Sequence, residues 1–260
     1  MKEYFFLTSL LPSLEPFQLP ALHFSELAPL LKSNLTVSDY AQYKVLSTYY
    51  DIENIKALIL NKPLNKWGNL NKNTLKQAIE DKIILPGYVL DFLNRYQEIK
   101  DKLTNFSCLY AAYFKHEEQL AKGFLKQYLR DQYHIRLVAS ALRIKHMKSD
   151  VMKAFQFEDV HDEVVRHVLA QKDTSEYTPL DRFMSWRDIF NKHYDKPFDL
   201  EKAWKQNLFY HVEELARGKI FSVDRVLSYV VRLLLIEDIN RLDKQTGEIF
   251  IEKQVAKGIV

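Results

Sequence analysis

Between Gly87 and Thr178 the chain runs for 92 residues without a proline, and all 260 residues include only six glycines. Proline and glycine are the residues that most reliably stop a helix, so their scarcity predicts long helices through the centre of the chain. Apolar spacing agrees. Phe124, Tyr128, Ile135, Val138 and Leu142 recur at the steps that line one face of a helix, as do Val45, Tyr49, Ile52, Ile55 and Ile59, and again Val226, Val230 and Leu233. No stretch alternates as a half-buried strand would, and the expected fold class is all-α.

The breaks carry turn chemistry. "NKPLNKWGNLNKN" from Asn61 is rich in Asn, Pro and Gly, and Asn71 or Asn73 is placed to cap a helix beginning near Leu75. "LPGYV" at Leu85 precedes an amphipathic stretch with Val89, Phe92, Leu93 and Tyr96. Apolar periodicity stops again over Gln171 to Asp181, where Pro179 is suited to start a helix, and "HYDKPFDLEK" at His193 is a further turn with Asp199 as its cap. These breaks divide a single helical protein, 1–260, into approximate lobes: 35–115, then 116–175 with 1–34 packed alongside, and 176–260.

With 47% hydrophobic residues the chain can bury a substantial core. Its 37 Lys and Arg nearly balance its 34 Asp and Glu and are spread along the sequence, a poor footprint for nucleic acid. The aromatic residues, Trp67, Trp186 and Trp204 among them, lack the interleaved basic clusters of a base-stacking surface and are read as core or interface anchors. Cys108 is the single cysteine, so an intrachain disulfide and a Cys-based zinc site are excluded, in keeping with the cytoplasm. The opening "MKEYFFLTSLLPSLEPF" has too short an apolar run for a targeting segment and is expected to belong to the fold. No run approaches the roughly 20 apolar residues of a membrane-spanning helix.

Polar groups interrupt the apolar stripes in a recurring way. Asp51 and Asn54, Asp131 and His134, and Glu237 and Asn240 each set an acid three residues before a hydrogen-bonding side chain, on or beside the apolar face of a helix. The surrounding segments, "YYDIENIKALILNK", "LRDQYHIRLVASALRIK" and "LLIEDINRLDKQTG", are alike beyond the pair. Their acids lie 80 and then 106 residues apart, too unequal for a solenoid but suited to three diverged helical units. A catalytic reading needs the carboxylates to converge. The structural reading, favoured because the pair recurs, has each acid hydrogen-bond a neighbouring helix, at a cost of about 1–3 kcal/mol if a buried one is removed.

Other candidates carry less. His161, Asp162, Glu163 and His167 in "VHDEVVRHVL" invite a metal site, a metal-dependent hydrolase using His161, Asp162 and His167 being the lesser alternative, and Glu163 and His167 share a helical face. The spacing matches neither a two-His metalloprotease helix nor the Glu-x-x-His pairs of di-iron bundles, so a solvated helix face is expected. No phosphate-cradling glycine loop and no nucleophile elbow occurs, so the expectation is of no catalytic residue, no cofactor and no metal.

On these residues the chain resembles a known family. "YYDIENIKALILNK" is similar to the signature of the C-type central-stalk component of V-type ATPases and ATP synthases, known as the d component in eukaryotes; "LRDQYHIRLVASALRIKH" resembles its second copy, and "VLSYVVRLLLIEDINRLDKQTGEIFIEKQVAKGI" its C-terminal helix, turn and closing segment. "YFFLTSLLPSL" and "LPGYVLDFL" look more like the compact bacterial family that stands in for that component. The chain departs from the pattern in being shorter, in having His134 where Asn is expected, and in a one-residue shift at the third basic position. The resemblance implies three related helical bundles in a pseudo-threefold, funnel-like arrangement. It also implies a non-catalytic rotor component, a monomer within a hetero-oligomeric complex, whose partners are the D and F proteins of the rotor shaft and the proteolipid c-ring. An adaptor outside any rotary machine is the main alternative from the sequence.

Overall fold

A computed structural model of the chain describes residues 3–241. These residues form thirteen α-helices and no strands. In chain order they are α1 (Phe5–Ser9), α2 (Phe24–Asn34), α3 (Val37–Ile59), α4 (Lys72–Asp81), α5 (Gly87–Arg95), α6 (Ile99–Thr104) and α7 (Phe106–Leu120). Then follow α8 (Gly123–His146), α9 (Val151–Ala154), α10 (Glu163–Ala170), α11 (Met184–His193), α12 (Pro197–Leu215) and α13 (Val223–Arg241), with a short 3₁₀ turn at Asp181–Phe183 before α11. The protein is all-α.

The proline-free stretch holds six helices rather than a few long ones, and side-chain caps start two of them, α9 and α10. Asp150 accepts hydrogen bonds from the N–H groups of Met152 and Lys153, and Asp162 from those of Val164 and Val165, so each satisfies donors that a new helix would leave orphaned. Asn71 does the same for Asn73 and Thr74 at the start of α4. At α12 the expected cap is displaced: Pro197 occupies the first turn, where its missing N–H costs nothing, and Asp199 lies inside that turn favouring the positive end of the helix dipole.

Two compact units result, one of Leu35–Phe183 and one combining the described parts of 1–34 and 184–260. This grouping differs from the lobes expected of the sequence. No division separates 35–115 from 116–175, because α7 and α8 pack on one another as a helical hairpin across that point. Residues 1–34 join the C-terminal helices instead of packing alongside 116–175: α1 and α2 both lie against α13, and the Tyr4 N–H donates to the Phe221 carbonyl at 2.7 Å.

In the Leu35–Phe183 unit, α7 packs against α3, α5 and α8. Tyr49 of α3 sits amid Tyr110, Tyr113 and Phe114 of α7 with ring centroids 5.9–6.3 Å apart, and the Tyr113 hydroxyl donates to the Val45 carbonyl at 3.1 Å. Rings of this kind bury much area at little entropic cost, and their hydroxyls must find acceptors when buried. In the other unit α13 is buried on nearly every side, with Val226, Leu227, Val230, Leu233 and Ile236 fully enclosed. Arg232 shares that interior through a 2.5 Å ion pair with Glu213 of α12 and by lying over the Phe209 ring.

Candidate functional site

The first polar pair grips a loop. Asp51 and Asn54 are 6% and 1% exposed on the C-terminal half of α3, facing the connection between α3 and α4. Leu70 N–H and the Asn69 side-chain amide donate to the Asp51 carboxylate at 3.0 and 2.9 Å. Asn54 takes both backbone groups of Asn65, accepting from its N–H at 2.7 Å and donating to its carbonyl at 2.9 Å. An amide side chain that reads a peptide unit on both its edges fixes position and direction together. Gly68 is required by this arrangement, since a Cβ there would lie 2.5 Å from Asp51 Oδ1. Burial raises the Asp51 pKa above its ordinary value, and the Leu70 and Asn69 donors pull it partly back.

The second pair, on α8, divides its roles. Asp131 is half-buried and accepts from Gln127 one turn earlier on the same helix, at 2.8 Å. His134 is 2% exposed and its Nε2 lies 2.9 Å from Asp162 Oδ2. The other carboxylate oxygen of Asp162 caps α10, so the histidine braces the residue that starts the next helix. Burial alone would raise the Asp162 pKa, but the His134 bond and charge, with the Val164 and Val165 N–H groups, outweigh it and hold the carboxyl below its ordinary value. Beside it, Glu158 is enclosed with the Tyr133 hydroxyl at 2.9 Å and the Arg136 guanidinium at 2.5 Å.

The third pair lies on α13. Glu237 accepts from Phe24 N–H at 2.7 Å and sits 3.3 Å from His23 Nδ1, placing its charge at the N-terminus of α2, where orphaned N–H groups and the dipole favour an anion. Asn240 is half-buried on the same helix. The turn and closing segment expected after this pair lie outside the described residues.

The carboxylates of the three pairs thus serve three separate contacts. The residues of the metal-hydrolase alternative are also spent individually. Asp162 is a cap, Glu163 pairs with Arg182, His167 Nε2 lies 2.9 Å from both the Thr178 carbonyl and Gln171, and exposed His161 donates its N–H to Asp159. Among the described residues no group of three His, Cys, Asp or Glu side chains could hold a metal ion, and no helix is long and apolar enough to cross a membrane.

Sequence reasoning missed a groove of about 470 Å³ within the Leu35–Phe183 unit. The end of α3, the following loop, α4, α5 and α6 line it. Its floor is Ile55, Leu58, Ile59, Leu64, Ile79 and Leu93, and its rim carries Lys62, Lys72, Lys76 and Lys102 against the single acid Glu80. The sequence signal was slight, Lys72 and Lys76 one turn apart on α4, because the other two lysines come from distant segments.

Fold and contacts define an all-helical protein of two compact units in which Asp51, Asn54, His134 and Glu237 brace a loop or a helix start. The chain belongs to the family described as "Protein of unknown function (DUF2764)", whose model matches residues 1–259. It is similar to an uncharacterized protein of Chlamydia muridarum, 31% identical over 100% of this chain and 99% of the relative, and to one of Chlamydia trachomatis, 28% identical over 90% and 91%. No solved structure matches it.

Proposed function

We propose that the protein is a non-catalytic central-stalk component of a V-type ATPase or ATP synthase, standing where the C-type component stands, between the rotor shaft and the membrane ring. The observation that carries this reading is that the described parts of the three segments resembling that component's repeat lie mainly on long helices, α3, α8 and α13, of 23, 24 and 19 residues. In that role the polypeptide does no chemistry. One face receives the tip of the shaft formed by the D and F proteins, another rests on the cytoplasmic loops of the proteolipid c-ring, and torque crosses between them as ions move. The three bundles would share a pseudo-threefold, funnel-like arrangement, and the protein would be held at the cytoplasmic side of the membrane by its partners. Stiffness is the physical requirement, and close-packed helical interiors with braced loops supply it.

The test is assembly. Tagged protein expressed with the D and F shaft proteins should co-purify with them as a defined complex, and removing it should uncouple ATP hydrolysis from ion movement. If the shaft and ring couple fully without it and it binds neither, the proposal is wrong. Flanking ATPase genes would add support from an independent direction.

A further inference from the structure

From the groove beside α4 we infer a docking site for an acidic amphipathic helix of a partner protein. The floor presents aliphatic side chains from three helices and a loop, and Ile99 at the edge is 60% exposed, extending the apolar strip outward. Around it the charge is one-sided. Lys62, Lys72 and Lys76 are exposed and form no ion pair among the described residues, while Lys102 donates to the Gln97 carbonyl at 2.7 Å. Four lysines against Glu80 give a strongly positive rim on a chain whose net charge is only +3. A complementary partner carries apolar residues along one face and carboxylates beside them.

The distribution of the cations selects the occupant. They come from three segments, the 60–71 loop, α4 and α6, and so flank the floor at several points. A fatty acid offers one carboxylate at one end and leaves most of them unanswered. A helix offers acids at successive turns, and Lys72 and Lys76, one turn apart, match acids spaced four residues apart on it. The groove is also preformed on one side: Asn54 locks Asn65 in the loop that carries Leu64 and Lys62, so little ordering has to accompany binding. The groove keeps this chemistry whether or not the protein belongs to a rotary motor.

The experiment titrates the full chain into fluorescein-labelled synthetic helices of about four turns, each with a leucine face flanked by glutamates, and follows anisotropy. Matched peptides carrying lysine for glutamate serve as controls, with palmitate and anionic phosphatidylglycerol vesicles as rival ligands. The glutamate peptides should bind about tenfold or more tighter than the lysine peptides, with affinity falling as salt rises. The Lys72→Glu/Lys76→Glu double variant should reverse that preference, and because both side chains are exposed its circular dichroism should equal wild type. Equal binding of the two peptide sets, a preference the double variant leaves unchanged, or dependence of palmitate or vesicle binding on these lysines without peptide binding would each overturn the assignment.

Discussion

Two helices of the Leu35–Phe183 unit carry the same acid-then-acceptor spacing and use it differently. On α3 both members are buried, and both act directly on the backbone of the following loop. On α8 the acid accepts from Gln127 of its own helix, and the second member, a histidine, acts on a side chain, Asp162, which in turn caps the next helix. In each case a long helix fixes where a short one begins, α4 or α10. The difference teaches that the spacing specifies a position facing the returning chain, while the length of the return decides what is met there. After α3 the loop comes back within twelve residues and its peptide groups lie in reach; after α8 the path passes through α9, and a charged cap arrives instead.

The largest effect is expected where backbone groups would be stranded. Asn54→Ala leaves the N–H and carbonyl of Asn65 unsatisfied beside a buried cavity, and should cost about 3 kcal/mol in chemical denaturation. Amide exchange would rise through 62–71 while Val164 and Val165 keep their protection. His134→Ala should cost less, about 2 kcal/mol, since Asp162 still caps α10 without its brace. There the exchange pattern inverts, with Val164 and Val165 loosened and the 62–71 loop unchanged. Equal loosening of both regions by either variant would show that the two clamps are one cooperative structure.

How much of this was legible in the sequence depends on range. The all-α class, the faces of α3 and α8 and the Asn71 cap follow from local spacing, which helices express directly. The polar pairs were visible as marks, but their contacts were not, because Leu70, Asp162 and Phe24 are reached only through tertiary packing. Asp131 and Asp51 look equivalent in sequence and differ in burial. The grouping of 1–34 with the C-terminal helices was hidden for the same reason: burial of Tyr4 and Leu7 reveals that α1 is packed, and nothing local says against what. The groove escaped notice because its lysines are assembled from three segments.

The two clamps should also respond to pH with opposite sign. The folded-state pKa of Asp51 is raised, chiefly by burial, above its ordinary 3.8, so its contribution to stability is full below that value and is lost as pH rises through the folded pKa. Asp162 is lowered, its donors outweighing burial, so its contribution is full above 3.8 and is lost as pH falls through the folded pKa. Urea midpoints from about pH 3 to pH 6 should therefore show wild type losing ground to Asp51→Asn as pH rises and gaining on Asp162→Asn over the same range. Asparagine keeps the cap at 162 while removing the charge, which isolates the His134 interaction. Parallel slopes for the two variants would remove the distinction between a backbone clamp and a charged one.

The smallest effect sharpens the comparison most. If the spacing alone set the role, Asp131→Ala would cost as much as Asp51→Ala, for which the stranded Leu70 N–H implies about 1–3 kcal/mol. Asp131 instead lies on a half-buried face and accepts from a glutamine one turn away, and such pairs stabilise helices by about 0.2–0.5 kcal/mol. Asp131→Ala should accordingly shift the urea midpoint by a small fraction of the Asp51→Ala shift, with no change in exchange at α10. A loss from Asp131→Ala matching that from Asp51→Ala would mean that the acid, not the histidine, carries the second clamp.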